Sequence, residues 1–413
     1  MTERNWAGNY SYRAERIHRP ASLEEVASIV ASAPRVRVLG SRHSFTDIAD
    51  APLLLSLAEL PADVVVDRDA STVSFGAGLT YGQLAAILRE EGLALANLAS
   101  LPHISVAGAV ATATHGSGDA NRNLANAVAG LELITSNGEL VSIARGEPDF
   151  DGCVVSLGAL GAVTRLTLDV EPAYDVRQRV FEGLAWETLT DHFDAITTSG
   201  YSVSLFTRWG ETLDQVWVKS RVSDEPETVR EDLFGARAAT VDRHPILGLD
   251  TINVTPQLGA AGLWSDRLSH FRMGFTPSSG DELQSEYFVA REHGLEAIEA
   301  IRRIADRVRP LLQVSEIRTI AADELWLSPQ YRQDTVALHF TWRMDPAGVS
   351  DALGHVEAAL APFAPRPHWG KVFRDDAADR YERLPDFLAL LDRFDPRAAF
   401  RNVWVQAHLI DVS

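Results

Sequence analysis

Hydrophobic positions along the first 170 residues switch repeatedly between helical and strand periods. Ser22-Leu23-Glu24-Glu25 has the form of a capping box, and Val26, Ile29 and Val30 then share one helix face. Residues 36–39 predict a short strand that Gly40 ends, and 53–55, 64–66 and 72–75 predict three more. Thr80, with Gln83 three positions on, starts a second helix whose apolar stripe is Leu84, Ile87 and Leu88. Apolar runs at 131–134 and 140–143 flank Ser136-Asn137-Gly138, a hairpin signal. Residues 163–168 alternate as a half-buried strand does, and Glu171-Pro172 closes the block.

Beyond residue 175 the texture changes. Aromatic-rich strands are predicted at 202–209, 215–219 and 284–289, then around 316–318 and 336–342. A charged helix is predicted over 295–308, stopped by Pro310, and another over 345–363. Residues 221–249 read as a loop, and the stretch from 373 onward as charged and short-elemented. Helices and strands intermix without a regular βαβ period, which is an α+β pattern.

With 413 residues, 46% of them hydrophobic, the chain can build two cores. A net charge of −19 argues against nucleic-acid partners and against anionic membrane surfaces. Cys153 is the single cysteine, so thiolate metal sites and internal disulfides are excluded. The start of the chain lacks signal-peptide features, and no apolar run reaches the length of a membrane helix. A cytoplasmic, monomeric protein is the expectation, with no metal.

Two small-residue segments carry the candidate chemistry. One is Gly40-Ser41-Arg42-His43-Ser44-Phe45 after the first strand; the other runs from Ser105-Val106-Ala107-Gly108 to Thr112-Ala113-Thr114-His115-Gly116-Ser117-Gly118. Their backbone N–H groups and hydroxyls suit the phosphates of a dinucleotide without any lysine. Gly76-Ala77-Gly78 is not a nicotinamide fingerprint, because Tyr81 stands where the third glycine belongs. No Walker loop is present.

This pair of segments resembles the flavin-binding signature of the vanillyl-alcohol-oxidase family. Within that family the chain looks like the alditol oxidases and the related sugar-lactone oxidases. The resemblance extends through 98–105, Glu316-Ile317-Arg318, 339–342, His368-Trp369-Gly370-Lys371 and 395–400. It implies a two-domain fold: 1–175 plus about 375–413 binding FAD, and 176–374 forming a sheet-based cap. It implies covalent FAD on His43. Non-covalent contacts would come from Gly40, Ser41, Arg42, Ser44, Phe45, Ser100, Ser105, Gly108, Thr112, Thr114, His115, Gly116, Val163 and His368. Arg42 departs from the glycine of many relatives, and a phosphate contact would compensate. A second flavin link through cysteine is not expected, since Cys153 lies outside the loop.

The resemblance further implies oxidation of a terminal CH–OH of an alditol to the aldehyde, with hydride passing to the flavin and O2 leaving as H2O2. Ser100, Glu316, Arg318 and Thr341 would bind the polyol hydroxyls, with Gln284 and His339 on the same wall. Glu316, Arg318 and Lys371 would be the catalytic group, Lys371 facing the negative charge of the reduced ring. Residues 316 and 318, like 339 and 341, point to one face of a strand, a pattern that a solvated sheet face would also show. A sugar-1,4-lactone oxidase or dehydrogenase is the alternative, and a non-catalytic flavin-binding module the second.

Overall fold

The computed structural model describes residues 3–223, 231–275, 281–375 and 377–411. Ser22 caps the helix Leu23–Ser32 by accepting from Glu25 N; Glu25 turns back to Ala21 N, so only half of the predicted box forms. Thr80 and Gln83 form the complete box on Tyr81–Glu90. Val36–Val38 runs parallel to Leu53–Leu55, which also pairs with Ile17–His18. The predicted hairpin is Val128–Ile134 with Leu140–Ala144; it joins Ala162–Asp169, Thr72–Gly76 and Val65–Asp67 in a five-stranded antiparallel sheet.

A second, ten-stranded sheet occupies the middle of the chain. Its central order is Asp175–Ala185, Thr212–Arg221, Ser202–Thr207, Leu312–Ile320, Thr335–Arg343 and Glu282–Ala290, each antiparallel to its neighbour. Strand alternation divides its two faces. Leu205, Ile317, Leu338, Phe340 and Tyr287 join one apolar cluster with residues of the helices Trp186–Thr197, Gly294–Arg303 and Pro346–Leu360. Gln284, Glu286, Glu316, Arg318, His339 and Thr341 point the other way and line a cleft.

Several expectations change. The segment 105–118 is not all loop: its alanine-rich part folds as the short helix Val106–Ala111. The helix predicted over 295–308 breaks at Ile304 into Gly294–Arg303 and Ala305–Val308. Within 221–249, residues 224–230 lie outside the described residues; beyond them Asp232–Leu233 and Ala236–Ala238 are strands, the latter paired with Asp175–Ala185. The tail after 373 contains an 11-residue helix, Leu384–Phe394. Its stripe of Leu384, Phe387, Leu390, Leu391 and Phe394 is buried in the cluster that also holds Val73, Leu84 and Leu166.

The chain beyond that helix ties back to the beginning. Arg397 donates to the carbonyls of Val30, Ala31 and Ala33, the end of the first helix, where a cation is favourable. Val36 N donates to Ala399 O at 2.8 Å. Among the described residues, no helix is long and apolar enough to cross a membrane.

Phe387 is fully buried, so Phe387→Ala should cost about 3–5 kcal/mol of stability in urea denaturation. An unchanged midpoint would show that the helix Leu384–Phe394 is not part of this core.

Candidate active site

The two glycine-serine segments meet. Ser105 N donates to Ser41 Oγ at 2.9 Å, and Ser41 N donates to Ser105 Oγ at 3.3 Å. This reciprocal pair leaves no room for side chains: a Cβ on Gly40 or Gly108 would lie 2.3 or 2.7 Å from Ser105 Oγ. The cradle opens into a cleft, continuous with solvent, that extends to the polar face of the large sheet.

His43 sits in this cleft, held by the first residues of the chain. Trp6 stacks on its ring at 5.4 Å, and Trp6 N donates to Arg42 O. Asn5 and Asn9 donate to the carbonyls of Ser44 and Phe45, and Phe45 N donates to Gly370 O. Arg42 takes φ of 65°, a conformation costly for a side chain, and its guanidinium pairs with Glu3. Neither ring nitrogen of His43 meets a hydrogen-bond partner, although both are buried. Burial, with His103 and Arg42 nearby, lowers its pKa to about 4, so the imidazole is neutral at pH 7.

On the sheet side, register aligns a row of polar groups. Glu286 pairs with His339, His339 with Glu316, and Glu316 with Phe206 on four adjacent strands. Glu286 accepts from Arg318 Nη2 at 2.7 Å and from Lys371 Nζ at 2.6 Å, and His115 Nε2 lies 3.2 Å away. Burial opposes its charge, but Lys371 and Arg318 outweigh it and hold the carboxylate well below its ordinary range. Burial lowers Lys371, with Glu286 opposing the shift. Glu316 is likewise held low despite burial, by Arg318 and His270. Burial keeps His339 and His368 neutral. His339 Nε2 bonds Gln284 Oε1 at 3.2 Å, which leaves its Nδ1 unpartnered.

Lys371 is positioned from outside the sheet. Trp369 is fully buried, donates to Leu327 O and packs on Tyr381 and Trp404. His368 N and Val372 N donate to the carbonyls of Glu286 and Gln284, laying residues 368–372 along the strand Glu282–Ala290.

Most of the residues singled out in the sequence line this one cleft: Gly40 to Phe45, Ser100, Ser105, Gly108, Thr112, Thr114, His115, Gln284, Glu316, Arg318, His339, Thr341, His368 and Lys371. Val163 and Gly116 do not. Val163 packs with the cluster around Val26 and Val36, and Gly116 is pressed against Asn97 and Leu98. Sequence reasoning missed Glu286, His270 and Arg37. Glu286 follows Gln284 by two and so shares its face, a signal that was available. Arg37 is buried at the cleft wall and donates to the carbonyls of Ile48, Gly158 and Phe400, which its strand context did not suggest. Cys153 is a buried residue of the core.

A family model described as FAD binding domain matches residues 14–144, and one described as D-arabinono-1,4-lactone oxidase matches residues 280–408. The chain is similar to an alditol oxidase of Streptomyces sp. (strain IKD472 / FERM P-14339), 50% identical with 97% of each chain covered. It is also similar to an L-gulono-1,4-lactone dehydrogenase of Mycobacterium tuberculosis, 30% identical with 96% of each chain covered. Among solved structures, a cholesterol oxidase from B. sterolicum superposes with a TM-score of 0.79 over 99% of this chain and 96% of that one. The 15% identity of that pair speaks to fold alone. The cleft fits FAD on its own geometry: two hydroxyl-bearing small-residue segments held together at its wall, and a buried imidazole whose ring nitrogens are unpartnered.

Glu286→Gln would leave the buried Arg318 and the partly buried Lys371 without their shared anion. It should destabilise the protein by about 3–5 kcal/mol in chemical denaturation. An unchanged midpoint would mean that Arg318 and Lys371 find other partners.

Proposed function

The chain belongs to the alditol oxidase family and has the α+β fold of vanillyl-alcohol-oxidase-type flavoproteins, and from that premise we propose that it oxidises the terminal primary alcohol of alditols such as xylitol or sorbitol to the aldehyde, with O2 reduced to H2O2. The observation that carries this reading is the row of buried, paired polar groups facing the cleft. A polyol needs every buried hydroxyl satisfied, and charged partners make the stronger bonds.

Bound in this cleft, FAD supplies the two-electron acceptor for the substrate C–H bond and the route from there to O2. Residues 1–175 with 375–413 would form the half that holds it, and 176–374 the cap. Gly40, Ser41, Ser44, Phe45, Ser105, Gly108, Thr112, Thr114, His115 and His368 would line the cofactor. His43, neutral and without a partner, would bond it covalently. Ser100, Glu316, Arg318 and Thr341 would take the substrate hydroxyls, with Gln284 and His339 closing the wall. Arg318 and Lys371 would bring fixed positive charge to the reacting centre, where negative charge develops. The match of residues 280–408 to a lactone oxidase model favours a second reading, oxidation of a sugar-1,4-lactone.

Peroxide formation with xylitol and sorbitol, set against galactono- and gulono-lactone, decides between the two. Yellow colour should stay in the acid-precipitated pellet and move to the supernatant in His43→Ala; a colourless protein from flavin-replete cells would remove the cofactor. Because the pKa of His43 lies near 4, below the ordinary 6.5, the neutral nucleophile persists as pH falls from 8 to 5. Covalent loading of the apoprotein should therefore be flat over that window, and a decline centred near pH 6.5 would contradict a neutral His43. Lys371→Met should slow anaerobic flavin reduction by about 10²–10³-fold. Near-normal reduction would take Lys371 out of the mechanism.

A further inference from the structure

Lys219 is a lysine with almost no solvent exposure, and nothing in the reaction outlined above uses it. It lies on the strand Thr212–Arg221, on the cleft side of the large sheet, and its Nζ donates to Leu268 O. The same Nζ is 3.0 Å from His270 Nδ1, and His270 Nε2 is 2.9 Å from Glu316 Oε1. The His270 ring is wedged edge-on between Phe206 and Trp217, at 5.6 and 5.2 Å. The backbone of this residue is equally committed. His270 N and Phe271 N both donate to Ser100 O, at 3.1 and 3.2 Å.

With Glu316 ionised beside Arg318 and burial keeping the His270 imidazole neutral, the donors and acceptors along this chain allow one arrangement. An amine bonded to Leu268 O still has N–H to give, so it donates to Nδ1. Nδ1 is then the acceptor, and Nε2 carries the proton that a carboxylate oxygen requires. Glu316 Oε1 is thereby occupied. The hydrogen bond from His270 and the approach of Arg318 Nε at 3.6 Å both fall on Oε1, and Glu316 lines the cleft.

We propose that Lys219 and His270 are positioning residues: together they fix the tautomer of His270, commit one oxygen of Glu316, and leave the other aimed at a polyol hydroxyl. Through its main chain His270 also sets the distance from Glu316 to Ser100, so one residue gauges the spacing of two hydroxyl sites. This assignment rests on the alditol reading above. A carboxylate free to rotate would meet the hydroxyl in only a fraction of its orientations, which weakens binding of ground state and transition state alike.

The test uses the flavin-loaded enzyme. His270→Phe should raise KM for xylitol at least tenfold while kcat changes little. His270→Gln, which keeps a donor near Glu316, should restore KM to within about threefold of wild type. Flavin content and the visible spectrum should be unchanged in both. Histidine ¹⁵N spectra, with His270 assigned by its loss in His270→Gln, should show the Nε2–H tautomer in wild type and a mixture in Lys219→Met. An unchanged KM in His270→Phe, a Gln variant as impaired as Phe, or an Nδ1–H tautomer in wild type would each overturn the proposal. Wild type that oxidises no alditol would overturn the functional reading and the identity of the hydroxyl. The tautomer would still decide whether the chain is wired as described.

Discussion

A buried carboxylate shared by a buried arginine and a partly buried lysine sets the geometry around it. Arg318 comes from the sheet and Lys371 from the segment that follows Trp369, yet both end on Glu286. A charge taken out of water costs several kcal/mol unless it is paired and hydrogen-bonded. The two elements therefore cannot drift apart without stranding an ion. Trp369 makes this constraint effective at a distance, because its indole is packed into the core that also contains the Leu384–Phe394 helix. The anion thus adds to the backbone bonds, such as Gly118 N to Thr319 O, that tie the sheet of the middle region to the outer elements.

The opposite wall of the cleft is built differently. There most restraints are neutral, namely the reciprocal bonds of Ser41 and Ser105, the amides of Asn5 and Asn9, and the stacked Trp6, with Arg37 and the Arg42–Glu3 pair as the charged members. The neutral contacts hold a backbone without adding further negative charge to a protein of net charge −19. Where positive charge is needed it is supplied sparingly and balanced by Glu286 and Glu316.

Local features were legible in the sequence, and long-range ones were not. Thr80 with Gln83, the hairpin around Gly138 and the alternation at 163–168 are decided by neighbours a few positions away. The pairing of the two glycine-serine segments was also visible, because small residues and hydroxyls at that density have few other uses. Asp175–Ala185 escaped notice because its alternate positions are Arg177 and Arg179, which masked the strand period. Leu384–Phe394 had its apolar stripe in plain view, but the charged residues between made it read as broken. Glu286 was within reach of a local reading, two positions from Gln284 on the same strand, whereas Lys219 and His270 depend on strand order and on where one loop returns, and no local window contains that information.

The segment around His43 draws its supports from both ends of the chain. Glu3, Asn5, Trp6 and Asn9 are made first, whereas Gly370, which receives Phe45 N, is made near the end. The αL turn at Arg42 costs free energy on its own and is held only when these partners are in place. On a ribosome, the nascent chain would carry this histidine long before its setting existed. Whatever chemistry needs this setting belongs to the released, folded polypeptide, because a half-finished chain lacks the partners that hold the turn.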